Sequence, residues 1–132
     1  MILADSSAWI EYDRVTRSAV ARRLTALIEG DGPLMVTEPV IMEVLAGARD
    51  DPRESELRRL LARFPLLRFD PVIDFDGATR IYRSCRRVGV TPRGMVDCMI
   101  ASVAARYDAT LLALDGDLVR IAEVIGIPVD EG

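Results

Sequence analysis

Short apolar runs that stop at an acid, each followed by a segment with helical spacing, are the strongest constraint on how this 132-residue chain can fold. Met1-Ile2-Leu3-Ala4 ends at Asp5, and Leu111-Leu112-Ala113-Leu114 ends at Asp115. Such runs are too short for helices and show no alternation, so they suit strands buried on both faces of a sheet. Leu34–Val36, Leu66–Phe69 and Ile127–Val129 read as further strands. Between them lie segments of helical periodicity: Ser6–Asp13, with Ser6 and Ser7 as cap candidates, Ser18–Glu29, Asp74–Val88, Gly94–Tyr107 and Asp117–Val124. Thr37-Glu38-Pro39 opens another, with proline in the first turn and Val40, Ile41, Val44, Leu45 and Ala48 on one face. A further helix runs through Leu57, Leu60 and Leu61. Strands alternating with helices predict an α/β fold with a short, mainly parallel sheet covered on both faces. No repeat, low-complexity tract or long linker divides the chain, so residues 1–132 are expected to form one domain.

Two absences narrow the chemistry. The sequence has no histidine, which removes imidazole acid–base catalysis, the Ser-His-Asp and Cys-His systems and most zinc hydrolase sites. All 17 basic residues are arginine, so Schiff-base chemistry and the lysine of a P-loop or a phosphorelay receiver are absent too. Carboxylate, hydroxyl, thiol and arginine remain. Cys85 and Cys98 are too far apart for a metal knuckle or a CxxC pair and read as buried small hydrophobes. No apolar run approaches membrane-spanning length and no leader is recognisable, so a cytoplasmic location is expected. A net charge of −4 is unusual for a protein that meets nucleic acid, but a clustered acidic site accounts for part of it.

Ligands of an open parallel sheet bind beyond the carboxyl ends of its strands, where Asp5, Asp115 and Asp117 fall. Asp97 stands near a helix start after Thr91-Pro92-Arg93-Gly94, where the helix dipole favours an ionised carboxylate. Glu43 lies in a segment otherwise made of Val, Ile, Met and Leu, where a charge needs a partner or a metal. Each acid also has a plain reading: Asp5, Asp97 and Asp115 as N-caps, and Glu43 on a solvent edge.

In Ile2-Leu3-Ala4-Asp5-Ser6-Ser7-Ala8-Trp9-Ile10, in Glu43 within Pro39-Val40-Ile41-Met42-Glu43-Val44-Leu45-Ala46-Gly47, in Val96-Asp97-Cys98-Met99-Ile100-Ala101 and in Asp115-Gly116-Asp117, the sequence resembles the PIN domain. More narrowly, it resembles the VapC toxins of bacterial toxin–antitoxin pairs, in order and over the whole chain. The resemblance implies a three-layer α/β/α PIN-like fold and an endoribonuclease dependent on Mg²⁺ or Mn²⁺. It implies an acidic quartet of Asp5, Glu43, Asp97 and Asp115, with Asp5 and Asp97 as metal ligands, Asp117 as a supporting acid and Ser7 as a hydroxyl that arranges the site. It also implies an RNA substrate, a VapB-like antitoxin and a homodimer. Oxygen ligands suit hard divalent ions, and metal activation of water makes a histidine base unnecessary.

Arg93 is the candidate for holding RNA phosphate, whereas Arg86 and Arg87 read more simply as charges opposing a helix C-terminal dipole. Trp9 and Tyr12 read as core or interface rather than as a base-stacking platform. The alternative to an enzyme is a catalytically silent PIN-like scaffold that only binds a protein partner. Other Mg²⁺ enzymes, such as a phosphatase or a receiver, usually need the lysine that is missing here.

Overall fold

The computed structural model describes residues 1–30, 32–114 and 116–132. Four strands, β1 (Ile2–Ala4), β2 (Leu34–Met35), β3 (Thr110–Leu112) and β4 (Val129–Asp130), form one sheet in the order β2-β1-β3-β4. Every neighbouring pair is parallel, with Leu3 opposite Met35 on one side and Leu111 on the other. Strand order therefore reverses between β1 and β3. A crevice opens at such a switch point, beyond the carboxyl ends of the strands.

Seven helices carry the connections among the described residues: α1 (Ser6–Asp13), α2 (Ala19–Ile28), α3 (Glu38–Ala46), α4 (Asp51–Leu61), α5 (Pro71–Arg87), α6 (Met95–Arg106) and α7 (Asp117–Ile125). They pack in two sets: α1 against α2 and α3, with α3 against α4, and α5, α6 and α7 against one another. With the sheet this is the three-layer α/β/α arrangement expected. Leu3, Leu111 and Leu112 are wholly buried, as strands covered on both faces must be. Trp9 is also fully buried, edge-on to Tyr12 and tilted against Phe64, with both centroids 6.1 Å away. It is a core residue. Cys85 and Cys98 are buried free thiols, and burial, with smaller contributions from Cys85, Asp97 and Asp117, pushes Cys98 up to about 11.

Most bounds shift by a residue or two from expectation, and three differences have a clear physical cause. Leu66–Phe69 is not a strand: a single parallel bridge joins Leu66 to Val36. The ladder stops there because the Phe69 amide is taken by Glu38 Oε1 at 2.8 Å and Asp70 already caps the next helix. That helix, α5, starts at Pro71 rather than Asp74, since Asp70 accepts from the amides of Val72 and Ile73 and proline occupies the first turn. Asp74 instead turns inward and pairs with Arg106 of α6 at 2.6 Å. The last strand lies slightly later than Ile127–Val129, because Gly126 ends α7 at φ 81° and the chain needs Ile127 and Pro128 to return to the sheet.

Candidate metal centre

Asp5 leaves β1 and enters α1 as its N-cap. One oxygen, Oδ2, accepts the Ser7 amide at 3.2 Å, while Oδ1 lies 3.3 Å from the Ser6 hydroxyl oxygen. The side chain is only 4% exposed. Capping and site membership are thus compatible, because a carboxylate has enough lone pairs for both.

Glu43 arrives from the middle of α3 and Asp97 from the first turn of α6, whose N-cap is Gly94. Asp5, Glu43 and Asp97 each bring an oxygen into one group in which all three lie within 4.8 Å of one another. The Ser6 hydroxyl sits between them and donates to Glu43 Oε1 at 2.6 Å. Glu43 is therefore not a solvent-edge charge: it turns toward two other carboxylates and is held by a hydroxyl.

The electrostatic consequence falls on Asp97. Burial, and then the charges of Asp5, Glu43 and Asp117, raise its carboxyl from an ordinary 3.8 to about 7. Like charges in one partly buried site cannot all ionise cheaply, and a divalent cation removes the conflict.

Asp117 stands apart in its bonding. At the start of α7 it accepts the Arg93 amide at 2.6 Å and pairs with Arg120 at 2.8 Å. These contacts, the Arg93 amide first, draw its carboxyl below the usual range. It lines the same cleft of about 230 Å³ as Asp5, Ser6, Ser7, Asp97 and Ile10, with Leu114, Gly116 and Leu118 completing the wall. Asp115 lies outside the described residues.

The two serines make different contacts. The Ser7 hydroxyl accepts the Leu114 amide at 3.1 Å and ties α1 to the segment after β3. Only its backbone N–H reaches Asp5. Ser6 carries the hydroxyl contact to the acids, and a hydroxyl directly after the first site aspartate was the signal available for it. Arg93 presents an exposed side chain beside the cleft while its backbone holds Asp117.

A parallel sheet with its switch point between β1 and β3, and three carboxylates with oxygens within 4.8 Å of one another, define an α/β domain with a candidate metal site. The family model for the PIN domain matches residues 2–124, so this chain belongs to the PIN-domain family. Within it, the chain is 41% identical over 128 residues to the VapC ribonuclease Mb1587 of Mycobacterium bovis and to the ribonuclease VapC11 of Mycobacterium tuberculosis, covering 96% of this chain and of each relative. Its fold resembles that of VapBC2 from Rickettsia felis bound to a DNA fragment from its promoter, with TM-score 0.76 at 16% identity over 98% of both chains. The VapC20 toxin of Mycobacterium tuberculosis, which cleaves the sarcin–ricin loop, gives TM-score 0.62 at 18% identity over 90% of this chain and 93% of that one. No helix among the described residues is long and apolar enough to cross a membrane.

Proposed function

We propose that this chain is the toxin of a VapBC-type pair, an endoribonuclease that hydrolyses RNA with Mg²⁺ or Mn²⁺ held by Asp5 and Asp97, with Glu43 and Asp115 completing the acidic quartet. The observation that carries the reading is the convergence of Asp5, Glu43 and Asp97 oxygens within 4.8 Å of one another. An all-oxygen donor set of this charge fits a hard divalent ion. When bound, the ion acidifies water and offsets charge on the phosphate, which suits a chain without histidine.

The chain's own residues prepare the site for it. Ser6 fixes the Glu43 carboxylate and Ser7 N–H fixes Asp5, so two of the acids keep their positions against mutual repulsion. A bound cation would hold Asp97, whose carboxyl burial and its acidic neighbours raise to about 7, in its ionised form. Asp117 holds the segment around Arg93 against the cleft through the Arg93 amide, leaving that guanidinium to meet phosphate.

A cytoplasmic ribonuclease acting as one domain over residues 1–132 needs restraint, and a VapB-like antitoxin would supply it; the VapBC structures whose fold this chain resembles support such a partner. A cationic side chain of that partner can replace the cation among the acids. A homodimer is expected for the toxin.

The test is cleavage of synthetic RNA by purified protein. Activity should disappear in EDTA and return with Mg²⁺ or Mn²⁺. Asp5→Asn should lower it on the order of 100-fold, as loss of a preorganised charge commonly does, while a circular dichroism melt shows the fold retained. Cleavage that survives EDTA would remove the metal, and a protein that cleaves no RNA under any cation favours the silent scaffold.

A further inference from the structure

The C-terminal half of α5 carries a cleft lined by Tyr82, Arg83, Arg86 and Arg87, with a volume of about 350 Å³. Arg86 leans over Tyr82, its guanidinium carbon 5.9 Å from the ring centroid and Nη1 3.4 Å from the hydroxyl. Among the described residues, none of the three guanidiniums has a carboxylate within ion-pair distance, whereas Arg80 one turn earlier is paired with Asp76 at 2.8 Å. Opposing the helix dipole accounts for Arg86 and Arg87, which lie in the last turn. It does not account for Arg83, a turn deeper, or for the ring that completes the cleft. Three uncompensated positive charges beside a half-buried aromatic are also out of keeping with a chain of net charge −4.

Position ties this cleft to the acids. Only residues 88–94 separate α5 from α6, and the two helices pack against each other. The arginine end of α5 therefore lies at the same edge of the molecule as the first turn of α6, which bears Asp97. The connecting loop is pinned to the site by the Arg93 amide on Asp117.

We propose that this cleft is a backbone subsite for single-stranded RNA, holding phosphates flanking the one that reaches the acids, with Tyr82 as a ring against which an unpaired base can stack. The inference rests on the ribonuclease reading and adds to it the place where the strand is gripped. Guanidinium matches phosphate in geometry and charge, and stacking with phosphate contacts is the usual way to hold a single strand without reading its sequence. The grip adds affinity along the strand to what the acids and their cation provide at one phosphate.

The test compares Arg83→Gln/Arg86→Gln/Arg87→Gln with Arg59→Gln, a surface control on α4. Binding of a fluorescent single-stranded oligoribonucleotide to Asp97→Asn protein, with and without the triple change, is followed over a salt series. Each phosphate contact on a single strand contributes about 0.7 to the slope of log affinity against log salt, so the triple variant should lower it by about 2. In protein with Asp97 intact, the same change should raise KM for a long RNA about 10-fold while leaving KM for a dinucleotide, which spans only the acids, within about twofold; these follow if each lost contact is worth what salt-dependent phosphate contacts usually are. An unchanged slope and unchanged KM for long RNA, in protein that still cleaves the dinucleotide, overturn the subsite and leave the ribonuclease standing. Loss of affinity for duplex DNA with none for single-stranded RNA overturns it as well. Protein that neither binds nor cleaves RNA removes both the subsite and the reading beneath it.

Discussion

Asp97 links cation binding to folding stability. Its folded-state value of about 7 lies above the ordinary 3.8, so without metal the native protein holds this proton more tightly than the unfolded chain does. The stability it confers is complete below the unfolded value and is lost as pH rises through the folded one. In EDTA the melting temperature should therefore fall between about pH 4 and pH 7 by this contribution. Asp97→Asn should flatten that part of the profile and stabilise the metal-free protein on the order of 1–2 kcal/mol near pH 8. Equal slopes for the two proteins would show that the carboxylates do not crowd one another. Ser6 acts beside it through a 2.6 Å hydrogen bond to Glu43. Ser6→Ala should reduce cleavage about 10-fold, the usual effect of losing a group that orients a ligand. Because the substitution leaves the first three acids in place, cation should still bind more weakly rather than not at all, which calorimetry can read.

Helices α5 and α6 meet closely at Gly77, where a Cβ would come within 2.2 Å of Ser102 Oγ. The same seam holds Asp74, wholly buried, which accepts from Ser102 at 2.8 Å, from Arg106 and from the Asp70 amide. Burial alone would raise the Asp74 carboxyl, but these donors, Arg106 foremost, bring it below its usual value. The seam thus stays ionised, and it sets the height of the helix that carries Asp97. Gly77→Ala should cost about 1–3 kcal/mol by overpacking. The cost should shrink in a Ser102→Ala background, where the clashing oxygen is gone, and a double-mutant cycle in urea measures that coupling. Additive effects would mean that the helices simply move apart.

For the whole molecule, cation binding is expected to be a source of stability, because the acids converge only when β1, α3 and α6 are assembled. A ligand that binds the folded state alone stabilises it by RT ln(1 + [L]/Kd), about 2.7 kcal/mol at a hundredfold excess over Kd. Adding Mg²⁺ or Mn²⁺ to EDTA-treated protein should raise the melting temperature progressively, and Asp5→Asn should remove most of the response. A thermal scan that ignores both ions would contradict the assignment of the ligands. The global charge works in the same direction: a chain of net charge −4 concentrates cations near itself and must place its arginines locally to meet RNA.

Much of this architecture is legible along the chain because it depends on neighbours in sequence. Apolar runs of strand length ending at an acid, capping residues ahead of helices, and the absence of histidine and lysine are local or compositional facts. They suffice for the parallel α/β fold, for Asp5 at a strand end and for a site built from carboxylates. Asp97 at a helix start is legible for the same reason. What depends on distant partners is not. Leu66–Phe69 has the pattern of a strand, yet Glu38 takes the Phe69 amide a longer ladder would need and Asp70 already caps the next helix. Asp74 looks like a helix start until Arg106, 32 residues away, draws it inside. Ser7 is the hydroxyl singled out along the chain, and the contact of Ser6 with Glu43 comes into view only because α3 delivers that acid from 37 residues away. Spacing places side chains on one face of one element, but the convergence of three acids depends on how β1, α3 and α6 pack, because carboxylates that repel one another are held together by the packing of the elements that bear them and by the donors set against them.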